Sequence, residues 1–146
     1  MTSDMRPKDI ARDVLRIERE ALSQMHDDLP DGFDAVVEML LGVDGRVIVS
    51  GVGKSGHIAA KIAATMASTG TPAQYVHAGE ASHGDMGMLT PADAAILISN
   101  SGETRELADI IGHTRRFGIP MVAITGKRDS SLARQADHIL LLPKAP

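Results

Sequence analysis

Cysteine and tryptophan are absent from the chain, and its aromatic residues are one tyrosine and two phenylalanines. Without cysteine there are no disulfides and no thiolate chemistry, which fits a reducing compartment. With so few aromatic side chains, a surface on which the bases of single-stranded nucleic acid stack is not expected. The net charge of −4 likewise gives no general attraction to nucleic acid. These absences argue against a disulfide-stabilised scaffold and against a nucleic-acid partner.

Long apolar runs are missing as well. No run approaches the ~20 residues that a membrane-spanning helix needs. The polar N-terminal stretch, residues 1–9, lacks the apolar segment of a signal peptide. We therefore expect a cytoplasmic protein without a membrane partner. The 146 residues, 43% apolar and 23% charged, are typical of one globular domain.

Two helices are predicted first, and strands then alternate with helices. Apolar residues recur every three or four positions between Pro7 and Asp28, and again after the turn at Pro30–Gly32, which is the periodicity of amphipathic helices. Beyond Gly45, short apolar runs rich in β-branched residues alternate with helix-forming segments. The predicted strands are 47–49, 73–76, 94–98, 121–124 and 139–142, and the helices among them are 54–69, 102–117 and 130–136.

This alternation predicts an α/β protein, a three-layer α/β/α sandwich with a five-stranded parallel sheet, preceded by an N-terminal helical pair. Right-handed crossovers place the connecting helices on both faces of such a sheet. The predicted division is residues 1–44 as the N-terminal helices and residues 45–146 as the α/β core. The chain stops at Pro146, directly after the fifth predicted strand, so we expect a core that is truncated at its C-terminal end.

Polar loops follow the first, third and fourth predicted strands. They read SGVGKSGH at 50–57, SNSGET at 99–104 and TGKRDSS at 125–131, and each combines glycine with hydroxyl residues at the start of a helix. Ligands of open parallel sheets bind beyond the carboxyl ends of the strands, where free N–H groups and the positive end of a helix dipole attract an anion. One such loop is equally well explained by Ser or Thr capping a helix. Three such loops on one sheet edge favour a bound anion.

The first loop partly matches two phosphate-binding motifs. The P-loop pattern needs glycine five residues before Gly53, where this chain has Ile48 inside a strand, so that pattern fails. The letters GVGKSG fit the dinucleotide motif. However, an acidic residue is expected about 20 residues further on, at the end of the second strand, where this chain has His77 and carries its nearest carboxylate, Glu80, a few residues later. A small phosphate shared between two loops explains both loops, with Lys54 as a point charge.

These loops and one further stretch resemble the sugar isomerase (SIS) domain family, and within it the D-arabinose 5-phosphate isomerases. The similar segments are GKSG at 53–56, HAGEASHGD at 77–85, SNSGETRE at 99–106 and ITG at 124–126. The resemblance runs from the N-terminal helices to Leu142. It implies a five-stranded parallel sheet between helices, a homo-oligomer that is usually a tetramer, and no required cofactor.

The implied activity is the interconversion of D-ribulose 5-phosphate and D-arabinose 5-phosphate, which serves lipopolysaccharide synthesis. An aldose–ketose isomerase moves a proton between adjacent carbons through an enediol, and it needs a base, an electrophile and a phosphate anchor. By resemblance, Lys54 and Glu106 are the catalytic candidates, and His77 matches a position associated with inhibitory zinc. The candidates for binding the sugar phosphate are Gly53, Ser55, Gly70, Thr71, His83, Ser99, Asn100, Ser101, Glu103 and Thr104.

Each assignment has a simpler alternative. Lys54 is also explained as a solvated lysine, although the dipole of a helix start disfavours a cation. Glu103 and Glu106 are also explained as first-turn carboxylates, and lone histidines such as His77 and His83 are more often structural. Family members continue beyond the fifth strand with another carboxylate and a histidine thought to act in catalysis, and many add two CBS modules. A non-catalytic sugar-phosphate-binding module therefore stays open beside the isomerase, with a nucleotide-binding domain as the third alternative.

Overall fold

A computed structural model of the chain describes residues 6–81 and 84–144. Contacts divide the chain into two units, one reaching to Leu29 and including the segment from Pro143, the other running from Pro30 to Leu142. The helices are α1 Pro7–Asp27, α2 Phe33–Leu41, α3 Lys54–Ser68, α4 Ala78–Ala81, α5 Ala108–Phe117 and α6 Ser131–Gln135, with 3₁₀ turns at Asp85–Met88 and Arg105–Leu107. The strands are β1 Val47–Gly51, β2 Ala73–Tyr75, β3 Ala94–Ile98, β4 Met121–Thr125 and β5 His138–Leu141.

The first unit is built around one long amphipathic helix, α1. Pro7 stands at its first turn, where proline suits a helix because the missing N–H would have had no acceptor. Arg16 pairs with Glu20 one turn later, with 3.0 Å between Nη1 and Oε2, and such exposed pairs contribute a few tenths of a kcal/mol. No residue of α1 is buried, and Ile10 and Val14 are about half exposed. No helix in the described part of the chain is long and apolar enough to span a membrane.

The second unit contains a parallel sheet, and its strand order decides where a ligand site lies. The order is β2-β1-β3-β4-β5, with every described neighbour pair parallel. The chain leaves β1 toward β2 on one side and returns to β3 on the other. Ser50 is in register with Leu97 and Gly51 with Ile98, so the loops after β1 and β3 begin side by side. This is the topological switch point at which open α/β sheets bind ligands.

Apolar side chains cover both faces of the sheet. Along β1, Ile48 belongs to one buried cluster and Val47 and Val49 to the other. This explains why the strand is a continuous apolar run, as expected for a parallel strand covered by helices on both faces. From α2, Val36 joins the second cluster at 3% exposure. The predicted sandwich with a five-stranded parallel sheet is confirmed, whereas the predicted boundary after residue 44 stays a prediction.

The sequence predictions differ from the structure mainly in two segments. The helix predicted from Gly102 begins three residues later, with the 3₁₀ turn at Arg105, because Gly102 has φ +67° and belongs to a loop. No helix was predicted after β2, yet α4 and a 3₁₀ turn lie there. Ser82 and His83, between these two elements, are outside the described residues. Short polar segments such as this one carry no periodicity from which a helix is predicted.

Candidate functional site

The loop after β1 brings the start of α3 directly against the strand end. A Cβ on Gly51 would lie 2.8 Å from the backbone carbon of Ser55, and one on Gly56 would lie 2.9 Å from the Gly51 oxygen. Gly53 has φ +59°, which glycine adopts without a steric cost. No side chain caps this helix start. Its first N–H groups are therefore open to an anion, as at other helix N-termini that bind phosphate.

Lys54 opens α3 and is exposed, while Ser55 beside it is half-buried. Lys54 forms no salt bridge with any residue that the structure describes. A cation at the positive end of a helix dipole is electrostatically unfavourable. An unpaired lysine at this position is therefore the arrangement expected where an anionic ligand supplies the missing negative charge.

The loop after β3 is held in shape by its own hydroxyl groups. The Oγ of Ser99, which is 2% exposed, lies 2.8 Å from the Oγ1 of Thr104 and accepts a hydrogen bond from the N–H of Gly102 at 3.0 Å. Ser101 is exposed, and its Oγ accepts from the N–H of Glu103 at 3.2 Å. Ser99 and Thr104 thus shape the loop, whereas the Ser101 hydroxyl keeps its proton free to donate.

Backbone donors of this loop are also unused. Within the described residues, the N–H groups of Ser101, Thr104 and Glu106 have no hydrogen-bond acceptor. Those of Thr104 and Glu106 lie at the start of the helical segment formed by the turn Arg105–Leu107 and α5, and that of Ser101 lies in the loop before it. Glu106 is exposed in that first turn, where the dipole favours a carboxylate. The loop after β3 therefore offers a second set of donors to an anion, next to those of the loop after β1.

The loop after β4 is bonded to the loop after β3. The N–H of Gly126 donates to the carbonyl of Asn100 at 3.0 Å, and the Oγ1 of Thr125 reaches the same carbonyl at 3.3 Å. The N–H of Leu132 donates to the carbonyl of Gly102 at 3.1 Å. Two of the three polar loops that the sequence places at one sheet edge are thus hydrogen-bonded to each other.

Glu103 takes part in this junction with its side chain. Its Oε1 accepts from the N–H of Ser131 at 2.8 Å and its Oε2 from the Ser131 Oγ at 2.7 Å. These two bonds, the hydroxyl bond first, hold the pKa of Glu103 below its ordinary value. The prediction that Glu103 contacts the sugar phosphate stays a prediction, but both carboxylate oxygens are already bonded within the protein.

Gly70 and Thr71 lie apart from these loops. They connect the end of α3 to the beginning of β2, and the N–H of Thr71 donates to the carbonyl of Met66 at 2.9 Å. This connection is at the amino edge of the parallel sheet, whereas the loops after β1 and β3 are at the carboxyl edge. Within this chain the structure does not bring Gly70 and Thr71 to the other predicted site residues.

The metal contact predicted for His77 finds no further ligands among the residues that the structure describes. His77 follows β2 directly and is exposed, and its Nδ1 accepts from the N–H of Gly79 at 3.1 Å. Among the described residues, no group of three or more histidine and carboxylate side chains is placed to hold a metal ion. The zinc contact predicted for His77 stays a prediction. The substrate contact predicted for His83 falls outside the described residues.

The fold and these loops define an open α/β protein in which N–H and hydroxyl groups able to bind an anion lie at the switch point between β1 and β3. The family model of the SIS domain matches residues 40–146, a range that contains all three polar loops. The chain belongs to the SIS domain family. The resemblance identified from the loop sequences is thereby confirmed.

Relatives and solved structures agree with this membership. The chain is 50% identical over 126 residues to the arabinose 5-phosphate isomerase KdsD of Escherichia coli O157:H7, an alignment that covers 86% of this chain and 38% of that protein. It is 48% identical to KdsD of Salmonella typhi, over 92% of this chain and 41% of that one. The structure of the E. coli CFT073 protein c3406 in complex with arabinose 5-phosphate superimposes with a TM-score of 0.87 at 39% identity, covering 95% of this chain and 76% of that chain. This chain thus spans about two fifths of the length of the curated relatives.

Proposed function

We propose that this chain forms the sugar-phosphate-binding core of an aldose–ketose isomerase that interconverts D-ribulose 5-phosphate and D-arabinose 5-phosphate. The observation that carries the proposal is the pair of loops with open anion donors at the β1/β3 switch point, in a chain 50% identical to KdsD over 126 residues. The name of that relative supports the substrate, and the switch point supports the position of the site.

The phosphate group would be held between the two loops. The N–H groups of Ser101, Thr104 and Glu106 have no acceptor among the described residues, and the hydroxyls of Ser55 and Ser101 add donors beside them. Lys54 contributes a positive charge that no described carboxylate pairs. Backbone donors at helix starts together with one cation are the usual composition of a phosphate site.

The proton transfer assigns different roles to Lys54 and Glu106. In the aldose-to-ketose direction a base removes the proton from C2, the hydroxyl proton on O2 passes to O1, and a proton returned to C1 gives the ketose; the reverse direction runs through the same enediol. Glu106 is exposed at the site edge, so its carboxylate is available to act as that base. The ammonium of Lys54 would stabilise the negative oxygen of the enediolate, since a fixed charge beside the developing anion lowers the barrier.

A sugar-phosphate-binding module without turnover is the second candidate. It is favoured by the donor set itself, because the hydroxyl and N–H donors bind an anion whether or not the Glu106 carboxylate acts as a base. The proposal also includes a cytoplasmic location, as expected from the sequence, and a homo-oligomer, which the exposed Leu15 and Leu22 of α1 and Leu41 of α2 support. Analytical ultracentrifugation measures the number of subunits.

Two measurements separate the candidates. Turnover of arabinose 5-phosphate, followed by the appearance of the ketose, supports the isomerase, whereas saturable binding without turnover leaves only the binding module. We expect Ser101→Ala to weaken arabinose 5-phosphate binding about tenfold, the loss of one hydrogen bond to a charged group. The control is Ser68→Ala at the far end of α3, which should bind like the wild-type chain. Unchanged affinity in Ser101→Ala would mean that the phosphate lies elsewhere.

A further inference from the structure

The side chain of Glu103 joins the loop after β3 to a helix much further along the chain. Its two carboxylate oxygens accept one hydrogen bond each from the N–H and the Oγ of Ser131, at 2.8 and 2.7 Å, across a sequence separation of 28 residues. Hydrogen bonds to an ionised carboxylate are about twice as strong as neutral ones. The carboxylate is exposed, yet both of its oxygens are bonded to one residue, so the contact is a specific connection between the loop after β3 and the start of α6.

Two contacts of Gly102 lie beside this connection. The carbonyl of Gly102 accepts from the N–H of Leu132 at 3.1 Å. Gly102 also approaches Ser130 so closely that a Cβ added to the glycine would lie 2.0 Å from the Ser130 Oγ. Glu103 thus supplies the side-chain part of a junction whose backbone part is formed by its neighbour. The side chains of Lys127 and Arg134 are near enough to favour the ionised carboxylate.

Fixing Glu103 also fixes the donors of the proposed phosphate site. Its own N–H donates to the Ser101 Oγ at 3.2 Å, and the open N–H groups of Ser101 and Thr104 are its near neighbours in sequence. A carboxylate that contacted the phosphate directly would repel it, whereas one bonded to Ser131 holds the loop without facing the anion. We propose that Glu103 is a positioning residue, which holds the anion-binding loop against the start of α6 through Ser131. The effect of Glu103 on sugar-phosphate binding rests on the proposed function, whereas its bonds to Ser131 do not.

The binding experiment compares direct contact with positioning. Isothermal titration calorimetry with arabinose 5-phosphate is run on the full chain and on the variants Glu103→Ala, Glu103→Gln, Ser131→Ala and the double variant Glu103→Ala/Ser131→Ala. We expect Glu103→Ala to weaken binding about three- to tenfold and Ser131→Ala about two- to threefold, since it removes one of the two bonds. The double variant should bind no more weakly than Glu103→Ala alone, because both changes remove the same connection.

A conservative variant and a control separate this role from a general loss of charge. Glu103→Gln retains an acceptor for the N–H of Ser131 and a donor for its hydroxyl, so it should recover much of the affinity lost in Glu103→Ala. Glu38→Ala removes an equally exposed carboxylate from α2 and should bind like the wild-type chain. Wild-type affinity in Ser131→Ala together with weak binding in both Glu103 variants would mean direct contact and would overturn the inference.

A second measurement needs no ligand. Amide hydrogen exchange at Leu132 and Gly126 reports the two backbone bonds of the junction, and we expect Glu103→Ala to exchange at least about threefold faster at Leu132. If the wild-type chain binds neither arabinose 5-phosphate nor inorganic phosphate, the proposed function fails, and faster exchange in Glu103→Ala still supports the loop-holding role. Unchanged exchange at both amides overturns that role whatever the binding result.

Discussion

Replacing Gly102 by alanine tests whether the loop after β3 is held as rigidly as its contacts indicate. Gly102 has φ +67°, and an L-residue in that conformation costs about 1–2 kcal/mol. The added Cβ would also lie 2.0 Å from the Oγ and 2.2 Å from the Cβ of Ser130. Ser130 has little room to move, because it is 3% exposed and its Oγ accepts from the N–H of Ala133 as the cap of α6.

The expected loss in the free energy of unfolding is the sum of these two effects. Overpacking a buried contact costs about 1–3 kcal/mol, so Gly102→Ala should lose about 2–5 kcal/mol in all. Gly118→Ala is the matched control, since Gly118 has φ +64° but nothing lies within 4 Å of its added Cβ. That variant should lose only the conformational part, about 1–2 kcal/mol. Urea unfolding followed by circular dichroism measures both values.

A compensating change checks the assignment to Ser130. In Gly102→Ala/Ser130→Gly the obstructing side chain is absent, and glycine at a helix N-cap costs only a few tenths of a kcal/mol. The double variant should therefore recover the steric part of the loss. Equal losses for Gly102→Ala and Gly118→Ala, or no recovery in the double variant, would refute the reasoning.

Two further predictions concern buried polar groups beside the sheet. The Asp93 carboxylate accepts hydrogen bonds from the N–H groups of Arg46 and Thr90 at 2.7 and 2.8 Å. Burial raises the pKa of Asp93, but the hydrogen bonds from Thr90 and Arg46 outweigh burial and hold the pKa below its ordinary value. The ionised Asp93 carboxylate therefore contributes fully to the free energy of unfolding above the unfolded pKa of about 3.9, and this contribution is lost as the pH falls through the lower folded pKa. Asp93→Asn should accordingly cost about 1–3 kcal/mol at pH 7. In urea unfolding from pH 3 to 7 that difference should shrink at the acid end, and a difference independent of pH would contradict the assignment. The Ser50 Oγ is buried without a hydrogen-bond partner in the described part of the chain. Ser50→Ala should therefore leave the free energy of unfolding unchanged or raise it by about 1 kcal/mol. A clear loss would mean that the hydroxyl has a partner in solution.

Local sequence determined the elements and the chemical character of the loops. The apolar run at Val47–Val49 and the three- and four-residue periodicity of α1 appear in the structure as a strand and a helix, as predicted, because strand and helix periods are properties of consecutive residues. Ile48 in place of glycine excluded a P-loop. The hydroxyl and glycine residues of the SNSGET loop predicted an anion site, since donors of that kind at a helix start are a local feature.

Tertiary structure alone decided which of these residues meet. The strand order placed the loops after β1 and β3 side by side and left Gly70 and Thr71 at the opposite edge. The bond from Ser131 to Glu103 spans 28 residues, and no period or motif indicates a contact of that separation. It gives Glu103 a partner that the SNSGET sequence does not contain. Contacts of this kind depend on how strands and helices pack across the sheet, which the order of residues in one segment does not specify.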